Sequence, residues 1–217
     1  MSVTVLDKYK DVRYNLFKWR CEASLIHKII LAFAMACFTG IAAQVRIPLP
    51  WTPVPISAQT FAVLLSGVLL GGWYGGLSQV FYIGAGIAGV PWFSGGGSGI
   101  AYISGPTGGY IIGFILAALF IGYFIDRFVR ARGFLAIFVL MFFANFVLIH
   151  LPGLLQLSVV TGVRNIYELL NMGTLPFIMG DVAKVLAAAA LAKGIIPKQA
   201  YDGKTSLGFS NRQQRLH

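Results

Sequence analysis

The stretch Phe134-Leu135-Ala136-Ile137-Phe138-Val139-Leu140-Met141-Phe142-Phe143-Ala144-Asn145-Phe146-Val147-Leu148-Ile149, carried on through His150-Leu151-Pro152-Gly153 to Leu157, decides the fold. A bilayer core of about 30 Å takes roughly 20 helical residues, so a run of this length and apolarity reads as a membrane span. The same ruler finds five more along the chain, at about Leu25 to Val45, Ile56 to Leu70, Trp73 to Val90, Thr107 to Ile125 and Leu175 to Ile196. The second is short for a full crossing, which calls for little tilt, a thinned bilayer or a cap of protein. Composition agrees with this reading. Apolar residues make up 57% of the 217 before the 26 glycines are counted, and charged residues only 11%, where a soluble surface needs roughly 25%. The expectation is an all-α membrane protein, a compact bundle of six transmembrane helices.

Charge orients the bundle. The net charge of +10 comes from 17 Lys and Arg against 7 Asp and Glu. Fourteen of the 17 flank the spans on one side: Lys8, Lys10, Arg13, Lys18, Arg20 and Lys28 before the first, Arg127, Arg130 and Arg132 between the fourth and fifth, and Lys193, Lys198, Lys204, Arg212 and Arg215 after the last. Only Arg46 and Arg164 fall in loops of the other side. Cytoplasmic flanks carry the basic excess, so both termini are predicted to be cytoplasmic in a multi-pass protein of the cell membrane. The organisation expected is a basic leader over 1–24, a six-helix domain over 25–196 and a basic tail over 197–217. The leader is too long and polar for a cleaved signal peptide. With Leu6, Tyr9, Leu16, Phe17 and Trp19 among its bases it is either an interfacial helix or a disordered arm.

Several classes drop out. The basic residues lack the interleaved aromatics that stack bases, so no nucleic acid is expected as a partner. Cys21 and Cys37 make no disulfide framework, and no Cys/His spacing suggests a metal or cofactor site. Neither glycine segment ends in Gly-Lys-Ser/Thr, so the chain is not expected to hydrolyse ATP.

An ionisable side chain within a span costs at least about 2.5–3.5 kcal/mol, so it needs a reason. The sixth span holds Asp181 and Lys184, three apart and on one helical face. Together they offer carboxylate acceptors beside ammonium donors, either a clamp for a neutral group with both N–H and C=O or an ion pair joining helices. Upstream, the glycine-rich run from Pro91 to Gly99, with Gly97, Ser98 and Gly99 at its end, continues through Tyr102 to Gly105-Pro106-Thr107-Gly108-Gly109-Tyr110. Its aromatic flanks favour a structured lid over a free linker, and its backbone N–H groups with the helix start at Pro106/Thr107 suit a carboxylate. The run Ile47-Pro48-Leu49-Pro50-Trp51-Thr52-Pro53-Val54-Pro55-Ile56-Ser57-Ala58-Gln59-Thr60 has four prolines in eight residues. It reads as a rigid extended loop, a pocket wall or a plain hairpin, leading into a helix capped by Ser57.

Ala32, Ala36 and Gly40 form a small-residue stripe on the first span, suited to close packing inside the bundle or to a docked partner. Gly67/Gly71, Gly72/Gly76 and Gly109/Gly113 are assigned to internal packing. An enzyme reading is weighed as well: Gly96-Gly97-Ser98-Gly99 matches the Gly-x-Ser-Gly of intramembrane serine proteases, with His150 as its base. Against it, the pattern is nonspecific in a glycine run, and His150 before Leu151-Pro152-Gly153 also reads as a residue of a helix kink. No catalytic residue is assigned.

These motifs carry a resemblance. The run from Ile47 to Thr60, the Gly-Pro-Thr-Gly-Gly-Tyr of Gly105 to Tyr110, and Pro176-Phe177 followed by Gly180-Asp181-x-x-Lys184 resemble the BioY family, the biotin-binding S component of energy-coupling-factor (ECF) transporters, over about residues 25 to 196. The resemblance implies a six-helix bundle that binds biotin from outside. It places Asp181 against the ureido N–H groups and Lys184 against the ureido C=O, with the Gly96–Gly99 lid, Tyr102, Tyr110 and Gln59 around the ligand. Some members have an Arg directly after the tyrosine where this chain has Ile111. Backbone N–H groups of Gly97 to Gly99, Ser98 or Arg46 are the substitutes for the biotin carboxylate. The resemblance also implies a transmembrane T subunit and two cytoplasmic ATPases as partners, with Ala32, Ala36 and Gly40 as the docking patch. An S component for a different vitamin is the alternative.

Overall fold

The computed structural model describes residues 5–199; the expected tail beyond them, from 200 to 217, lies outside the described residues. In chain order the elements are α1 (Val5–Glu22), α2 (Leu25–Gln44), β1 (Arg46–Ile47), β2 (Ile56–Ser57), α3 (Gln59–Leu70), α4 (Gly72–Ile87), α5 (Ile100–Ile103), α6 (Gly108–Arg127), α7 (Phe134–Phe143), α8 (His150–Thr161), α9 (Ile166–Gly173) and α10 (Ile178–Ile195). A wide π turn, Ala144–Ile149, joins α7 to α8 in one rod, and short 3₁₀ turns precede α7 and α10. The strands form an antiparallel hairpin with Arg46 opposite Ser57 and Ile47 opposite Ile56.

Four helical stretches are long and apolar enough to cross a membrane: Leu25–Gln44, Gly108–Arg127, Phe134–Thr161 and Ile166–Ile195. The second and third expected spans are α3 and α4, of 12 and 16 residues, about 18 and 24 Å long at 1.5 Å per residue. Both pack on α6, which lies at the centre of the bundle. Gly71, at φ +82°, turns the chain sharply between them. The approach of α3 to α6 needs glycine: a β-carbon on Gly67 would stand 2.7 Å from the Ala118 carbonyl oxygen. The internal-packing role expected of that glycine follows from this contact.

The small-residue stripe of α2 requires a correction. Ala32 and Ala36 are wholly buried and Gly40 is buried too. A β-carbon on Gly40 would lie 3.0 Å from the Trp92 ring. The stripe faces α3 and α4, where it is covered within the chain, and the outward face of α2 is instead Ile26, Ile30, Phe33 and Ile41. Small residues let the helices close, and closure hides them.

The leader is helical, and α1 lies across the end of the bundle where α3, α6 and α10 stop. The last carbonyls of a helix lack intrahelical partners, and cations are favoured beside them. Arg13 donates to Lys193 O (2.8 Å) and Ile196 O, and Tyr9 Oη to Gly194 O (2.5 Å), at the end of α10. Arg20 donates to Val68 O (3.1 Å) at the end of α3 and pairs with Asp126 of α6. Arg132, wholly buried, gives its Nε–H to Ile125 O (3.0 Å). Burial and the neighbouring Arg20 push its guanidinium down to about 10, so it stays charged at neutral pH. Phe17 sits between the two, with Arg20 4.4 Å and Arg132 4.3 Å from its ring centroid, a stacking that guanidinium planes favour.

Candidate functional site

At the opposite end of the bundle, α10 opens with Leu175-Pro176-Phe177 in a 3₁₀ turn and sets Asp181 in its first turn, where the helix dipole favours an anion. Asp181 is 3% exposed. A buried carboxylate needs donors, and three converge on it: Lys184 Nζ on Oδ1 at 2.7 Å, and Asn145 Nδ2 and His150 Nε2 on Oδ2, each at 3.0 Å. The other ring nitrogen of His150 meets Thr174 Oγ1 at 3.1 Å. Lys184 is partly open, with a side-chain exposure of 17%. One partner thus leaves three N–H donors of the ammonium only partly used, and Oδ1 keeps acceptor capacity.

Asp181, Lys184 and His150 of this cluster line a cavity of about 50 Å³. The proline hairpin forms one wall with Val54, Pro55 and Ile56, and α6 another with Tyr110, Ile111 and Phe114. The run from Ile47 is therefore hairpin and wall at once, and Thr52 Oγ1 ties it to Met172 O (2.7 Å). Ser57 does not cap α3 as expected. The helix starts at Gln59 without a side-chain cap, and Ser57 Oγ donates instead to Gln59 Oε1 (2.8 Å). Gln59 then donates to the Tyr82 hydroxyl (2.7 Å), and Trp92 Nε1 donates to Tyr82 O (2.8 Å). Tyr110 Oη donates to Gly173 O (2.8 Å), which fixes α6 to the approach of α10.

The glycine-rich loop is structured. Phe93 is wholly buried, stacked on Tyr102 at 5.0 Å between ring centroids and edge-on to Tyr82. Gln44 holds the loop from α2 by donating to Trp92 O and Phe93 O while accepting from Gly96 N. Gly95, Gly96 and Gly99 have φ of +77°, +72° and +83°, a region where any side chain is strained.

Of the residues singled out beforehand, Asp181, Lys184, Gln59, Tyr102 and Tyr110 line the cavity together, while Gly97, Ser98 and Gly99 belong to the loop but not to the lining. The Gly99 N–H is already spent on Gly86 O (2.8 Å), and Arg46 lies exposed with its guanidinium against Gly95. Lys184 is the one ammonium or guanidinium among the lining residues. Ser94 takes the place given to Ser98: it lines the cavity, and its hydroxyl, like that of Thr60, is buried without a partner among the described residues. His150 binds Asp181 and Thr174, and no hydrogen bond links it to Ser98, so the nucleophile and base of the protease reading are not joined. Asn145, Thr174, Tyr82 and the binding role of His150 escaped the sequence reading. A polar signal existed for Asn145 and His150, two hydrogen-bonding groups within an apolar run.

Comparison with known proteins identifies the family. A family model described as the BioY family matches residues 12–200. A protein of Methanothermobacter thermautotrophicus named a probable biotin transporter BioY is 49% identical over 142 residues, 63% of this chain and 90% of its own length. A biotin transporter BioY of Thermotoga maritima is 33% identical over 167 residues, 77% of this chain and 94% of its own. Among solved structures, the fold is similar to that of an S-component for biotin from an ECF-type ABC transporter, with a TM-score of 0.71 at 24% identity, covering 77% of this chain and 89% of that one. With a match spanning nearly all of its described length, the chain belongs to the BioY family.

Proposed function

We propose that this chain takes up biotin as the substrate-binding S component of an ECF-type ABC transporter. It is a transporter subunit rather than an enzyme. The observation that carries the reading is the buried Asp181–Lys184 pair flooring a cavity between the proline hairpin and the glycine-rich loop. A ureido ring presents two N–H donors and one C=O acceptor, the complement of a carboxylate beside an ammonium. Asp181 receives the N–H groups and Lys184 donates to the C=O, while Asn145 and His150 hold the carboxylate in place. The unpartnered hydroxyls of Ser94 and Thr60 supply the polar contacts toward the valerate end, where Ile111 offers none.

A cavity of about 50 Å³ is too small for a bicyclic acid, since sites for ligands of that class run to roughly 300 Å³ or more. The loop over 91–99 therefore swings out to admit biotin, turning at glycines already in the left-handed region. In the membrane the chain forms six spans, with α3 and α4 crossing as a short pair sheltered by α6. Both termini face the cytoplasm, and α1 lies along the inner leaflet. A transmembrane T subunit and two cytoplasmic ATPases supply the energy that this chain has no P-loop to provide.

Equilibrium titration of biotin into the detergent-purified chain tests the proposal. Saturable binding of one biotin per chain supports it. A folded chain that leaves biotin unbound overturns the ligand and leaves the family standing.

A further inference from the structure

A second cavity, of about 330 Å³, lies at the other end of the molecule, away from the Asp181 cluster. It opens where the end of α1 and the start of α2 cross the start of α4 and the end of α6, and Arg20, Lys28 and Arg127 project into it beside Trp73, Tyr74 and Tyr123. The one carboxylate there, Asp126, is taken up by Arg20 and by the Gly72 N–H (3.1 Å). The other two cations are not neutralised. Lys28 gives one N–H to Cys21 O (2.9 Å) and lies 5.7 Å from the Tyr74 ring centroid. Arg127 makes no hydrogen bond or ion pair with a described residue and is exposed.

The level of this groove identifies its occupant. Lys28 stands near the start of one membrane-crossing stretch and Arg127 ends another. Trp73, 84% exposed, and Tyr123, 55% exposed, are the aromatic types that settle at headgroup depth. Two unneutralised cations, an indole and a phenol at a span end match a lipid phosphate with its polar head, and basic pockets between span ends are where such headgroups lodge. We propose that this groove is a specific site for the phosphodiester headgroup of an anionic phospholipid, held by Lys28 and Arg127. The site is independent of biotin and would order α1 against the bundle through Arg20 and Phe17.

The test uses the full chain, delipidated in a neutral detergent and titrated with phosphatidylglycerol, while bound lipid per chain is counted by native mass spectrometry. Phosphatidylcholine, glycerol 3-phosphate and inorganic phosphate are the comparison ligands. The expected result is one retained phosphatidylglycerol, with affinity lowered tenfold or more in the double variant Lys28→Gln/Arg127→Gln. Affinity should stay unchanged in Lys8→Gln/Lys10→Gln, which removes the same charge from the exposed part of α1. Equal loss in both variants would mean diffuse surface attraction and overturn the site. So would equal retention of phosphatidylcholine, or inorganic phosphate displacing the lipid at equal concentration. Helical content by circular dichroism separates a misfolded variant from one that has lost its ligand.

Discussion

Replacing Asp181 by Asn keeps the outline of the side chain and removes its charge, which separates the ligand's use of this residue from the fold's. In the empty site the carboxylate accepts from Lys184, Asn145 and His150. Asn145 can turn its amide and His150 can adopt the other tautomer, so both can meet an amide in place of a carboxylate. Lys184, with 17% of its side chain open to solvent, keeps part of its hydration. Folding should therefore lose only about 1–3 kcal/mol, below the 3–5 kcal/mol typical of a fully buried broken pair. Biotin has no such latitude. A hydrogen bond to a charged acceptor is worth about 1.5–3 kcal/mol and a neutral one about 0.5–1.5 kcal/mol. Converting two ureido bonds from the first kind to the second costs about 2–3 kcal/mol, or about 30- to 150-fold in Kd. Isothermal titration of biotin into wild type, Asp181→Asn, Lys184→Met and the double variant measures this directly. The losses should fall short of additive by more than about 0.5 kcal/mol, because the two side chains act on one ring and on each other. A folded Asp181→Asn chain that binds biotin within about threefold of wild type would refute the clamp and make the pair a structural tie.

Ser94→Ala removes a buried hydroxyl without a partner, so thermal unfolding of the empty chain should be unchanged or slightly later, while biotin binds about 0.5–1.5 kcal/mol more weakly; equal affinity would place Ser94 away from the ligand. Ala36→Trp forces an indole into a wholly buried position, at a cost of about 1–3 kcal/mol or more, so biotin binding and cellular uptake should fall together. Full binding with uptake lost would make the stripe a docking face after all. Phe17→Ala empties the space between Arg20 and Arg132 and should cost about 3–5 kcal/mol in thermal or denaturant unfolding; an unchanged midpoint would show that α1 folds apart from the bundle.

Helix positions were readable because each rests on a local signal. A run of apolar residues at membrane length needs no knowledge of its neighbours, and the starts of α2 and α6 fall within a few residues of expectation. Asp181 and Lys184 were readable for a related reason: charge within an apolar helix is costly wherever the helix packs, and a spacing of three puts both on one face. The direction in which a face points is a different matter. Ala32, Ala36 and Gly40 permit close approach equally well from within the chain or from outside it, and only the position of Trp92 against Gly40 decides between them. Ser94 and Ser98 are likewise equivalent by composition, and Phe93, by burying its ring, turns the one inward and leaves the other on the loop.

The partners of Asp181 were hidden by helix geometry. Asn145 and His150 are five residues apart, and at 3.6 residues per turn that separation leaves them about 140° apart around the axis, too far for one face. Read as an α-helix, the fifth span gives a lone amide and a lone imidazole with no common target. The π turn over Ala144–Ile149 widens the coil by a residue, and five positions then make close to one turn. That single insertion brings Nδ2 of Asn145 and Nε2 of His150 onto the same carboxylate oxygen at the same 3.0 Å. Such turns lose regular α-helical hydrogen bonding and recur where function uses the displaced side chains. Here the gain is a buried carboxylate with two donors on one oxygen while Lys184 meets the other.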